Sequence, residues 1–94
     1  MATCDNLQAI YAPKVEQNKT NLDYLKQVIS VMQMLNCTEQ EAYFAASEAA
    51  HAIEPTAETA VGCGYMYYKK GDMDKCIDYF DQAINLEQDQ LKES

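Results

Sequence analysis

The chain contains no arginine, three glycines, two prolines and a single histidine in 94 residues. Each scarcity excludes something. Few glycines and prolines mean few tight turns, which argues against turn-rich all-β folds. One histidine, His51, leaves no serine or cysteine with a base and an acid at recognisable spacing, so nucleophilic catalysis has no machinery here. Lysine alone supplies the positive charge, seven residues against fifteen acids, for a net charge of −8. Such a surface repels phosphate backbones and disfavours nucleic acid as a partner. No stretch approaches the roughly 18 apolar residues of a membrane span. Met1 to Leu7 carries neither a basic region nor an apolar core of a signal peptide, which leaves the compartment undetermined. The four cysteines, Cys4, Cys37, Cys63 and Cys76, include no C-x-x-C pair, which excludes thioredoxin-like and zinc-ribbon motifs.

What is present is helical. Ala, Leu, Gln, Glu, Lys and Met dominate, and apolar residues make up 48% of the chain. A first helix is expected over 4–18, carrying Leu7, Ile10, Tyr11 and Val15. Pro13 should kink or break it, since it lacks an N–H and clashes with the preceding turn. Leu22, Leu25, Val28, Ile29, Met32 and Leu35 form a second stripe, opened by Thr20 or Asn21. Thr38-Glu39-Gln40-Glu41 reads as a capping box. It precedes a third stripe of Ala42, Ala45, Ala46, Ala49, Ala50 and Ile53, which Pro55 stops.

Thr56 caps a fourth helix bearing Ala57, Ala60, Val61, Gly64, Tyr67 and Tyr68. Lys69 and Lys70 suit its C-terminal dipole, and Gly71 ends it. Asp72 caps a fifth, with Met73, Cys76, Ile77, Phe80, Ala83 and Ile84 at helical spacing. Residues 88–94 form a polar tail, frayed or opening a further helix. The connections are two to four residues long, which forces antiparallel neighbours. The expected fold is all-α: about five helices in antiparallel hairpins in a single domain.

Residues 57–90 resemble one tetratricopeptide repeat, a 34-residue helical hairpin. Ala60 stands in the Trp slot, Cys63-Gly64 in the Leu-Gly slots and Tyr67 in the Tyr slot. Cys76 replaces the small Ala, Phe80 matches, Ala83 follows, and Gln88 replaces the Pro. The run Tyr67 to Asp72 and the ending Ala83-Ile84-Asn85-Leu86 are also family features. A degenerate copy covers 21–55. Leu25, Val28-Ile29 and Met32 lie 35 residues before their counterparts, Ala42 lies 34 before Cys76, and Pro55 lies 33 before Gln88. Ile29 occupies its Gly slot, and Ala46 or Ser47 its Phe slot.

The resemblance implies hairpins stacked as a short right-handed α-α superhelix, and a protein-interaction module rather than an enzyme, needing no cofactor or metal. Its partner would be a peptide or helix of another protein, of basic character, held in a concave groove lined by first helices. That groove would present Glu58, Val61, Tyr65 and Tyr68 from the clear repeat and Lys26 and Ser30 from the degenerate one. The alternative is a structural spacer or oligomerisation segment of a longer solenoid, with no ligand of its own. The groove slots hold Val61 and Tyr65 in one repeat and Lys26 and Ser30 in the other, which is not the family's carboxylate-gripping pattern of Lys and Asn and disfavours a chaperone-tail ligand.

Hairpins of this kind bury their apolar faces by stacking. Two and a half repeats without a polar capping helix leave Ile77, Phe80 and Ile84 as a stacking face or a homodimer interface, as for a piece of a longer array. In the antiparallel pair of the first two helices, Cys4 and Cys37 lie about equally far from the turn near Lys19. They should therefore be near neighbours. Bridged, they point to a periplasmic or extracellular home; otherwise they are two unrelated thiols. Cys63 and Cys76 read as small packing residues. Asp72, Asp74 and Asp78 lack the glycine and terminal glutamate of a calcium loop and read as a cap and a solvated helix face.

Overall fold

The computed structural model describes residues 3–93. Met1, Ala2 and Ser94, which belong to the signal-peptide and tail readings, lie outside the described residues. The helices are α1 (Thr3–Gln17), α2 (Leu22–Met34), α3 (Glu41–Ile53), α4 (Ala57–Lys70) and α5 (Met73–Glu93). No strand occurs among the described residues. Successive helices run antiparallel. α3 packs on α2 and α4, α5 packs on α4, and α1 lies across α2 and α3. α2 and α4 do not pack on each other.

Local chemistry accounts for most boundaries. The Asn21 side chain accepts the Tyr24 N–H at 3.2 Å and opens α2. Thr56 accepts the Thr59 N–H at 3.1 Å, and the Thr59 hydroxyl accepts the Thr56 N–H in return, also at 3.1 Å. Gly71 closes α4 at φ 82°, a left-handed conformation natural to glycine. The Asp72 N–H then reaches the Tyr67 carbonyl at 2.9 Å, and the Gly71 N–H the Tyr68 carbonyl at 3.1 Å. These two bonds are a Schellman closure. Asn36, at φ 59°, closes α2 by the same device, with the Cys37 N–H on the Met32 carbonyl at 2.7 Å.

Three boundaries differ from expectation in whole or in part. Of the kink or break expected at Pro13, the break does not occur: α1 runs to Gln17 with Pro13 exposed. Proline leaves the Ala9 carbonyl without its helical donor, and both residues are exposed, so water can satisfy it. Thr38 does not cap α3. The helix begins at Glu41 after Gln40, whose side chain makes no cap bond, so the α2–α3 link is residues 35–40. Glu39 is engaged elsewhere: it accepts from the Tyr65 hydroxyl at 2.9 Å and pairs with Lys69 at 3.0 Å. The tail is not separate either, because α5 continues to Glu93 through residues with no Gly or Pro to stop it.

The main core joins Val15, Leu25, Val28, Ile29, Met32, Cys37, Ala42, Tyr43, Phe44, Ala46, Ala50 and Met66. α3 is the central helix and buries more than one stripe. Tyr43, Phe44, Ser47 and His51 are inside, whereas Ala45 and Ile53 face solvent. Between α4 and α5 the buried residues are small: Ala60, Cys63, Cys76 and Ala83. Small residues let the two axes approach. A Cβ on Gly64 would meet the Phe80 ring at 3.0 Å, and one on Gly62 the Ser47 hydroxyl at 3.0 Å. No helix is long and apolar enough to cross a membrane among the described residues.

At the start of α1, Cys4 and Cys37 form a disulfide with Cα atoms 5.3 Å apart. One turn further along α1, the Gln8 side chain reaches α3. These two links fasten α1 to the α2–α3 hairpin.

Candidate functional site

Because α2 and α4 do not touch, a cleft of about 510 Å³ opens between them, closed below by the end of α3. Three candidate groove residues border it: Lys26 and Ser30 from α2, and Glu58 from α4. Leu22, Ile29, Ala50 and Ala57 supply apolar wall, and Thr56 and Thr59 polar wall. Lys26 reaches Glu54 at 3.5 Å across the rim; both side chains are more than half exposed. Such a pair is weak and readily exchanged for a ligand's charges. Glu58 lies in the first turn of α4, where its charge complements the helix dipole. A shallower depression of about 360 Å³ on the other side of Lys26 and Ser30 is framed by Tyr11, Tyr24 and Val31.

The remaining groove candidates do not line this cleft. Tyr65 is half-buried two turns further along α4. Its hydroxyl donates to Glu39, its ring tilts against Phe44 at 6.2 Å, and Lys69 sits over its face at 5.7 Å. Tyr68 stacks on Tyr65, ring centroids 6.3 Å apart and planes 15° apart. The hydrogen bonds from Lys69 and Tyr65 hold the Glu39 carboxyl below its ordinary value. The same carboxylate raises the Tyr65 phenol and the Lys69 ammonium. The result is an aromatic shelf with one anchored ring and one open ring. Glu39 escapes sequence reading because its spacing to Thr38 suggests a cap, and nothing local points to α4.

The candidate stacking face is open. Ile77 is 54% exposed, Ile84 53% and Phe80 36%, with Met73 beside them at 49%. Phe80 turns one edge onto Gly64 of α4. That contact sets the antiparallel register, bringing Val61 to the level of Ile84 and Tyr68 to the level of Ile77. Val61 (48%) and Tyr68 (56%) are similarly exposed, so the apolar surface continues onto α4.

His51 is buried where three helices meet. Its Nδ1 lies 2.8 Å from the Thr59 hydroxyl on α4 and its Nε2 3.0 Å from the Gln82 side-chain oxygen on α5. Tyr79 meets the imidazole edge-on at 5.5 Å and stacks on Tyr67 at 5.6 Å. Both ring nitrogens are thereby engaged in joining helices. Burial, with the charge of Glu48, pushes the Cys63 thiol up to about 12, so it stays protonated and inert. Cys76 is also buried. Among the described residues no group of three or more His, Cys, Asp or Glu side chains is arranged to hold a metal ion. Comparison with known proteins finds no family model, no curated protein and no solved structure that matches this chain.

Proposed function

We propose that the chain is a protein-interaction module built from tetratricopeptide-like hairpins, and that it holds a peptide or helix of a partner in the cleft between α2 and α4. The observation that carries this reading is the meeting of Lys26, Ser30 and Glu58 around one open cleft, from two helices that leave each other free. An apolar side chain of the ligand lies against Leu22 and Ile29. A basic residue beside it pairs with Glu58 or replaces Lys26 as the partner of Glu54. The excess of acids over the whole chain draws such a ligand in. Catalysis has no part in this reading, since His51 is committed to Thr59 and Gln82.

The test is selection of a random peptide library on the intact chain, counter-selected on the Lys26→Glu, Glu58→Lys variant. Both positions are exposed, so the variant should melt like the parent. Enriched peptides should carry Lys or Arg beside an apolar residue and should lose about tenfold or more in affinity on the variant. Peptides that bind both proteins equally, or no enrichment at all, would remove the cleft as the binding site.

A spacer within a longer solenoid is the second reading. It is favoured by the open apolar surface of α5, which neighbouring hairpins cover in stacked arrays.

A further inference from the structure

The apolar surface at the α4–α5 end of the molecule has an ordered layout that goes beyond the cleft and does not depend on it. On α5, Met73, Ile77, Phe80 and Ile84 are separated by four, three and four residues. That is the seam spacing of a helix that pairs with another helix. On one side of the seam, Cys76 and Ala83 are buried against α4 and are not available to a partner. On the other side lie Asp74 and Asp81, with Asp78 behind them, all three exposed. The lysines nearby are engaged elsewhere. Lys75 and Lys70 sit over the Tyr67 ring, and Lys69 pairs with Glu39. The seam therefore has a single free rim, and that rim is negative.

This rim decides between occupants. In an antiparallel pair of two α5 helices, rim positions of one copy oppose the same rim of the other. Asp74 and Asp81 would then face Asp81 and Asp74 of the second copy, a like-charge juxtaposition in an interface that excludes water. A helix whose seam is apolar and whose edge is Lys or Arg meets the same surface with opposite charge. We propose that the Met73–Ile77–Phe80–Ile84 seam is a docking site for a basic amphipathic helix of another protein, not a self-association surface. Tyr68 and Val61 extend the contact onto α4, where Tyr is a favoured interface residue.

The probe is a synthetic amphipathic peptide of about three heptads with a leucine seam and lysine edges, compared with a twin carrying glutamate at the edges. Binding to the intact chain is followed by fluorescence anisotropy at low and high salt. The lysine peptide should bind at least about tenfold more tightly than the glutamate twin, and the difference should shrink as salt rises. Two variants locate the site. Ile77→Asp with Ile84→Asp changes only exposed side chains and should abolish binding while the melting temperature holds. Asp74→Lys with Asp81→Lys should invert the preference between the two peptides.

Sedimentation equilibrium of the chain alone should report a monomer. A dimer that the Ile77→Asp, Ile84→Asp variant disrupts would overturn the proposal in favour of a second copy as occupant. Equal binding of the two peptides would reduce the seam to an unspecific apolar surface and overturn it as well. Binding that survives the isoleucine variant would put the peptide elsewhere, and loss on the Lys26→Glu, Glu58→Lys variant would identify the cleft as that place.

Discussion

The side-chain oxygen of Gln8 accepts the backbone N–H of Ala42 at 2.6 Å, across 34 residues of sequence. A helix N-terminus leaves its first amides without partners. α3 has no side-chain cap of its own at Gln40, and one turn of α1 supplies an acceptor instead. The attachment of α1 and the start of α3 are thereby the same event, and the disulfide lies one turn away on α1. Losing either link should loosen both helices.

That coupling gives the first prediction. The Cys4–Cys37 bridge closes a loop spanning 33 positions and should contribute about 3–4 kcal/mol through the lost entropy of the unfolded chain. Reductant should lower the urea midpoint of the native chain and leave the Cys4→Ser, Cys37→Ser variant unmoved. Amide exchange should speed up first in α1 and at the N-terminus of α3. Identical unfolding curves with and without reductant, with an intact mass showing all four thiols free, would count against the bridge.

A second prediction concerns the junction at His51. The imidazole is buried and joins α3 to Thr59 and Gln82. His51→Ala opens a gap and removes partners from both polar groups, which should cost about 2–3 kcal/mol. Gln82 is exposed, so Gln82→Ala should cost well under half of that. Chemical denaturation of the two variants checks the ratio. Equal, small losses would mean that the histidine merely fills space.

The third prediction follows the sign of the shifts around Glu39. Its carboxyl sits below the ordinary value of about 4.3, so its contribution is complete above that pH and fades as pH falls through the lowered value. Tyr65 and Lys69 sit above their ordinary values of about 10, so their contribution is complete below pH 10 and fades as pH rises through the raised ones. Melting temperature should therefore stay level from about pH 5 to pH 10 as far as these three groups are concerned. Glu39→Gln should flatten both slopes, the acid one because the carboxylate is gone and the alkaline one because Tyr65 and Lys69 lose the charge that raises them. Glu39 and Lys69 are exposed and Tyr65 is half-buried, so the effect should be modest and smaller still in high salt. An unchanged acid slope in the variant would assign that slope to other carboxylates.

Much of this protein is written in short windows of sequence. Thr56 and Thr59 need only each other to open α4, and Gly71 followed by Asp72 needs only the φ freedom of glycine and a short acidic side chain to turn the chain. The helices, their count and their antiparallel order follow from periodicity and short links, because those are properties of neighbours in sequence. The equal spacing of Cys4 and Cys37 about the α1–α2 turn is arithmetic of the same kind. What packs where is not. Glu39 stands three residues from Ala42 and could serve α3, yet its carboxylate belongs to Tyr65 and Lys69 on α4. α3 buries Tyr43, Phe44 and His51 as well as its alanines because helices lie against several of its sides, and one helical period describes one face only. Lys26 and Ser30 share a repeat register with Val61 and Tyr65, yet Lys26 and Ser30 border the cleft with Glu58 while Tyr65 joins Tyr68 in a separate shelf. Caps and turns are settled by contacts within one helical turn, whereas cleft, shelf and seam depend on how far apart whole helices stand, and only packing across tens of residues decides that distance.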